Sequence, residues 1–142
     1  MLSPRTTIIA DYGHNPDAIR ALTQAVEAMP AQRRSVVISG AGDRRDQDIT
    51  EQTQILGKVF DDVILYQDAC QRGREDGEVL ALLRKGLEGA ARTSYSTEIH
   101  GEFLAIDHAL ARLQPGDLCL VLVDQVEEAL EHLRKHVAGA LA

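Results

Sequence analysis

Tryptophan is absent from this chain, and aromatic residues of all kinds make up only 4% of it. Without stacked aromatic side chains there is no platform for the bases of single-stranded nucleic acid. Basic charge is also short, with 15 Lys and Arg against 22 Asp and Glu and a formal net charge of −7. That balance argues against nucleic acid as the main partner, because phosphate-backbone binding needs a basic surface. The two cysteines, Cys70 and Cys119, lie far apart and form no CxxC or His/Cys metal spacing. A disulfide framework is excluded, which fits a reducing cytoplasm. No apolar run approaches the roughly 20 residues that cross a bilayer, and no secretory leader is visible. The expectation is a cytoplasmic protein with no membrane partner and no metal site of its own.

Several catalytic motifs are missing as well. The chain has no GxSxG elbow for a serine hydrolase and no HExxH for a zinc enzyme. It has no GxxxxGK[ST] phosphate loop, and Gly40-Ala41-Gly42 is not a full GxGxxG because Arg45 stands at the third glycine position.

What is present is the composition of an ordinary globular domain, 44% apolar and 26% charged over 142 residues. That length makes one domain, 1–142, able to bury about two-thirds of the surface of its unfolded chain. Apolar runs and amphipathic stretches alternate at the spacing of βα units. The runs predict strands at Thr6–Ala10, Ser35–Ser39, Asp62–Tyr66 and Asp117–Val123, with a weaker one at Thr93–Ser96. Val36-Val37-Ile38 and Leu118–Val123 lack in/out alternation, as expected of strands covered on both faces.

Between them, 3.6-residue spacing predicts helices. Their apolar faces are Ile19, Leu22, Val26 and Met29; then Ile49, Leu56, Val59 and Phe60; then Val79, Leu83, Leu87 and Ala90. Phe103, Ile106, Leu110 and Leu113 mark a fourth, and Val126, Leu130, Leu133, Val137 and Leu141 a last one. Met29-Pro30 and Gln114-Pro115-Gly116-Asp117 are stop signals. The pattern predicts a three-layer, Rossmann-like α/β domain with a mainly parallel sheet of five to six strands.

In such a sheet the strand carboxyl ends share one edge, where ligands of open α/β folds collect. The segments expected there are rich in charge and glycine. Asp11-Tyr12-Gly13-His14-Asn15-Pro16 follows the first strand, with Asn15 a good N-cap and Pro16 suited to the first helical turn. Helix punctuation accounts for Asn15 and Pro16 but not for Asp11 and His14. Gly40 to Asp46 follows the second strand, and Asp43, Arg44, Arg45 and Asp46 read equally as a ligand loop or as a solvated loop with internal ion pairs. Asp68 to Glu75 follows the third, where Arg72 and Arg74 can grip carboxylates or phosphates bidentately. Asp124-Gln125 follows the last; Glu127 and Glu128 complement a helix dipole. His100, His108, His132 and His136 form no constellation.

Asp11-Tyr12-Gly13-His14-Asn15-Pro16 resembles the D-Y-[AG]-H-[NT]-P motif that opens the C-terminal domain of the Mur ligase family. Three further stretches extend the likeness: Gly42-Asp43-Arg44-Arg45-Asp46-x-Asp48-Ile49, Asp68-x-x-x-Arg72-Gly73-Arg74-x-x-Gly77-Glu78 and Pro115-Gly116-Asp117-Leu118. Together they are most similar to the C-terminal end of cyanophycin synthetases, a group whose Mur-like half adds arginine to an Asp–Arg polymer.

The resemblance implies an ATP-dependent, ADP-forming ligase that joins an amino acid to a carboxylate through an acyl-phosphate. It implies that Asp11 and Asn15 contact the nucleotide, with Asp11 on the ribose, and that His14 faces the reacting end. It implies that Asp43, Arg44 and Asp46 help close the site over nucleotide and amino acid. Asp68, Arg72 and Arg74 occupy the segment where family members select that amino acid. Asp68-Ala69-Cys70-Gln71 replaces the D-N-P-R of the diaminopimelate- and lysine-adding members, so a different amino acid is implied. The segment after the last strand also lacks the family's G-x-G-H-E form.

ATP and Mg²⁺ would be held mainly by a central ATPase domain, the implied partner, whose Walker A loop this sequence does not contain. The other implied partners are the amino acid, arginine among the candidates, and a carboxylate-bearing peptide or polymer. The alternative from a different class is a non-catalytic module that binds an amino acid or nucleotide.

Overall fold

Strands and helices alternate in the order β1 (Thr7–Asp11), α1 (Pro16–Glu27), β2 (Arg34–Ile38), α2 (Asp46–Leu56), β3 (Asp62–Gln67), α3 (Glu78–Gly86), β4 (Tyr95–His100), α4 (Glu102–Arg112) and β5 (Leu118–Leu122). The computed structural model describes residues 7–11, 16–39, 46–67, 78–90, 92–114, 116–122 and 131. The five strands form one sheet in the order β1-β5-β2-β3-β4, and every pairing is parallel. The last strand therefore fills a slot between the first two.

Strand direction and crossover hand explain where the helices sit. The steps β1 to β2, β2 to β3 and β3 to β4 all advance one way across the sheet, whereas β4 to β5 comes back. Right-handed crossovers then place α1, α2 and α3 on one face and α4 on the other. The core divides accordingly. Ile19 and Val26 of α1, Ile49 and Leu56 of α2, and Leu80 and Leu83 of α3 pack on Val36, Ile38, Val63, Leu65 and the even-numbered leucines of β5. Ala105, Ile106 and Ala109 of α4 pack on Val37, Ile64, Tyr66, Cys119 and Val121. Successive strand residues point to opposite faces, so β5 is buried along its whole length without any polar alternation.

Several polar groups in this interior are satisfied within it. The Tyr66 hydroxyl donates to the Leu122 carbonyl at 3.0 Å. The Thr53 hydroxyl of α2 donates across to the Leu83 carbonyl of α3 at 2.6 Å. That bond needs the two helices almost in contact, and Gly86 permits it. A Cβ on Gly86 would lie 2.0 Å from Thr53 Oγ1 and 2.1 Å from the Thr50 carbonyl oxygen. Cys119 is fully buried, which pushes its thiol pKa up to about 11 and leaves it an inert core residue.

Several expectations from the sequence need correction; Leu87 and Ala90 lie beyond α3, which ends at Gly86, and Leu113 lies beyond α4, which ends at Arg112. Met29 lies beyond the end of α1 and is 37% exposed, because Arg34 donates to the Met29 and Val26 carbonyls and closes the helix there. Val59 and Phe60 are buried as expected but follow α2 in a turn. The fourth strand starts at Tyr95 rather than Thr93. The Thr93 hydroxyl bonds the Phe60 carbonyl and the Ser94 hydroxyl accepts from Arg33, so the ladder opens where Tyr95 meets Asp62. The expected helix over 126–141 lies outside the described residues apart from Glu131, which is helical.

The amino edge of the sheet carries a charge network that periodicity does not reveal. Arg33 clasps Asp62 at the start of β3 through Nη2 at 2.5 Å and through Nε at 3.1 Å to both oxygens. Asp61 accepts from the Arg34 amide at 2.9 Å and from Arg92 Nε at 2.7 Å. On the α4 side, the Arg112 guanidinium sits 3.6 Å above the Tyr95 ring, whose hydroxyl meets His108 Nε2 at 3.0 Å. These contacts tie the starts of β2, β3 and β4 together.

Two outcomes follow from these contacts. Gly86→Ala should lower the unfolding free energy by about 2 kcal/mol or more in urea titration, since overpacking here strikes backbone as well as side chain. A change within about 0.5 kcal/mol would mean that α2 and α3 do not touch there. Burial disfavours the Asp61 carboxylate, but the Arg34 amide and the Arg92 guanidinium outweigh it and hold its pKa below the ordinary value. A carboxylate with a depressed folded pKa stabilises above its unfolded pKa, and that contribution is lost as pH falls through the folded value. Asp61→Asn should therefore be less stable than the parent near neutrality, with the gap closing below about pH 4. Thermal melts across pH check this, and a gap that does not shrink in acid would contradict it.

Candidate functional site

All five strands point the same way, so the segments that follow them leave from one rim. Asp11 closes β1 in register with Leu122, the last residue of β5, and Val37 of β2 stands opposite Val121. Ile38 pairs with Leu65, and β3 runs on to Gln67 opposite His100 of β4. The four charged and glycine-rich segments begin directly after Asp11, Ser39, Gln67 and Leu122. The first three run into α1 at Pro16, α2 at Asp46 and α3 at Glu78. The parallel register thus gathers the anchoring ends of all four along one edge. Asp11 was expected just past its strand; it is the final residue of the β1 ladder.

Most of the side chains singled out by sequence lie outside the described residues: His14, Asn15, Asp43, Arg44, Asp68, Arg72 and Arg74, with Asp124 and Gln125. Asp11 is placed by its backbone alone. Asp46 is described in full, as the exposed first residue of α2. It stands at one wall of a groove of about 420 Å³ between α2 and α3, which Thr50, Glu51, Leu82 and Lys85 also line.

The first turns along this rim are acidic. Asp17 opens α1, Asp46 and Asp48 open α2, and Glu78 opens α3. Each carboxylate sits where the helix dipole favours negative charge, so it stabilises its own helix. Arg20 is a described cation that pairs within this set. It donates to Asp17 Oδ1 at 3.0 Å and reaches across to Glu51 of α2. Sequence spacing gave no hint of the second contact, because the two residues belong to different helices.

Among the described residues no group of three or more His, Cys, Asp and Glu side chains can hold a metal ion. No described helix is long and apolar enough to cross a membrane.

Comparison with known proteins agrees with this geometry. The sequence profile of the Mur ligase glutamate ligase domain matches residues 2–124. Cyanophycin synthetase of Synechocystis sp. is 36% identical over 126 residues, 89% of this chain and 14% of that protein. Its counterpart in Geminocystis herdmanii is 31% identical over 130 residues, covering 92% and 15%. This chain therefore spans about one seventh of those relatives. Among solved structures, a UDP-N-acetylmuramoyl-L-alanyl-D-glutamate–2,6-diaminopimelate ligase superposes with a TM-score of 0.72 at 22% identity, covering 85% of this chain and 24% of that one. E. coli FolC in complex with ADP gives 0.69 at 26% identity, covering 95% and 31%. The likeness to the first is one of fold; sequence and fold agree for the second. This chain belongs to the Mur ligase family, as its glutamate ligase domain.

Proposed function

We propose that this domain forms the amino-acid-presenting part of an ATP-dependent, ADP-forming amide ligase that joins an amino acid to a carboxylate through an acyl-phosphate. Within the family it is similar to cyanophycin synthetase, and arginine is the proposed amino acid. The observation that carries this reading is the shared rim. One parallel register anchors the DYGHNP segment, the GDRRD segment and the Asp68–Arg74 segment at a single edge of the sheet.

In this scheme the domain contributes position and charge. Asp11 and Asn15 contact the nucleotide, and His14 faces the reacting end. Asp43, Arg44 and Asp46 cover nucleotide and amino acid, while Arg72 and Arg74 take the carboxylate of the incoming amino acid and Asp68 its cationic end. The acidic first turns of α1, α2 and α3 support a cationic substrate. As the amine nitrogen bonds to the activated carbonyl carbon, the carbon–oxygen bond to phosphate breaks, phosphate departs, and the amine sheds its proton. Holding amine and acyl group together supplies most of what a protein adds to such a step.

ATP drives the activation, and Mg²⁺ has no ligand set among the described residues. The chain also contains no Walker A sequence. Both are assigned to a central ATPase domain, onto which this domain closes.

The test is ADP release with this domain joined to such an ATPase domain and a carboxylate-bearing peptide. Release should depend on arginine, and Asp11→Ala and His14→Ala should each lower kcat/KM by about a hundredfold, the scale of a lost positioning contact. Full activity in both variants would remove the site assignment. Binding of arginine or nucleotide without any turnover would favour a non-catalytic module instead.

A further inference from the structure

Arg20 is the described side chain that joins two of the rim helices from the solvent side. It lies on the second turn of α1, the helix that follows the DYGHNP segment directly. Glu51 lies on the second turn of α2, which follows the GDRRD segment and begins at Asp46. One guanidinium nitrogen of Arg20 meets Asp17 at 3.0 Å in the first turn of its own helix, and the other meets Glu51. Asp17 is 95% exposed, so water competes strongly for it; Glu51 is 32% exposed and lies on the wall of the groove that starts at Asp46.

This arrangement is poorly suited to stabilising the fold. Exposed ion pairs contribute little, and α1 and α2 are already fixed to the sheet by Ile19, Val26, Ile49 and Leu56. Those contacts all lie on the sheet side of the helices. α1 and α2 also pack on each other, and on their solvent side the planar guanidinium adds a cross-helix tie to Glu51.

We propose that Arg20 is a positioning residue for amide ligation, holding the starts of α1 and α2 at the separation that the incoming amino acid requires. The proposal rests on the function set out above. Its consequence is a penalty on substrate affinity rather than on the chemical step, because Arg20 touches neither reacting group.

Two measurements test it. In the ADP-release assay, Arg20→Ala should raise KM for arginine about fivefold with kcat within about twofold of the parent, the scale expected for one surface pair. Arg20→Lys should recover part of the loss, and so should the charge-reversed pair R20E/E51R, whose gain is limited by repulsion between the new carboxylate and Asp17. In hydrogen exchange on the 142-residue chain, Arg20→Ala should speed exchange in α1 and α2 and leave α4 unchanged. An unaltered KM, or exchange that rises equally in all helices, overturns the proposal. The two readings fail separately. Activity that survives both Asp11→Ala and His14→Ala removes the assigned function without altering the exchange result. Unchanged exchange in α1 and α2 removes the role of Arg20 and leaves that function standing.

Discussion

The placement of β5 between β1 and β2 is the constraint on which the rest of this domain depends. Its five residues are buried, and each side chain belongs to one of the two cores, with leucines facing α1–α3 and Cys119 and Val121 facing α4. Hydrogen bonding on both sides fixes the level at which β1 and β2 end. Asp11 and Ile38 consequently finish their strands close to the same height, and the polar segments beyond them leave from neighbouring points. A slip of one residue in β5 would exchange its two faces and bury the wrong side chains throughout.

The two edges of the sheet divide the work. At the amino edge, arginines and aspartates pair with one another, Arg33 with Asp62 and Arg92 with Asp61, while Arg112 stacks over Tyr95 and reaches within 3.9 Å of Asp62. Charge there is consumed in fastening strand starts. At the carboxyl edge, acids open the helices and the glycine-rich segments intervene, so charge is arranged around the mouth of the fold. Arg20 is the described cation that couples α1 to α2 there. The fold thus has one edge fastened by ion pairs and one, the carboxyl edge, where ligands of open α/β sheets generally collect.

Much of this architecture is legible from sequence, for identifiable reasons. The continuous apolar runs of β2, β3 and β5 mark strands covered on both faces, and all three appear within a residue or two of the expected limits. The weak strand at Thr93 is displaced because hydroxyl bonds to Phe60 and Arg33 capture Thr93 and Ser94 before the ladder starts. Gln52 and Thr53 are buried on α2 although their polarity suggests an outer face; Gln52 lies on the stripe of Ile49 and Leu56, and Gly86 brings α3 close enough to enclose Thr53. The Arg–Asp network at the amino edge escapes one-dimensional patterns because its partners come from different strands. At the carboxyl rim, the motif segments were recognisable by their residue types and order. Periodicity alone does not reveal the cross-helix reach of Arg20.

The pairing of Thr7 with Leu118 joins strands from opposite ends of the domain. A nascent chain leaving the ribosome would present β1 long before β5 exists to cover it, and the slot beside β2 stays open until β5 itself emerges. Non-local closure of this kind slows folding and prolongs exposure of strand edges. Assembly of this domain accordingly waits for β5, and a message cut short before it yields a sheet with two unmatched inner borders and a strong tendency to aggregate.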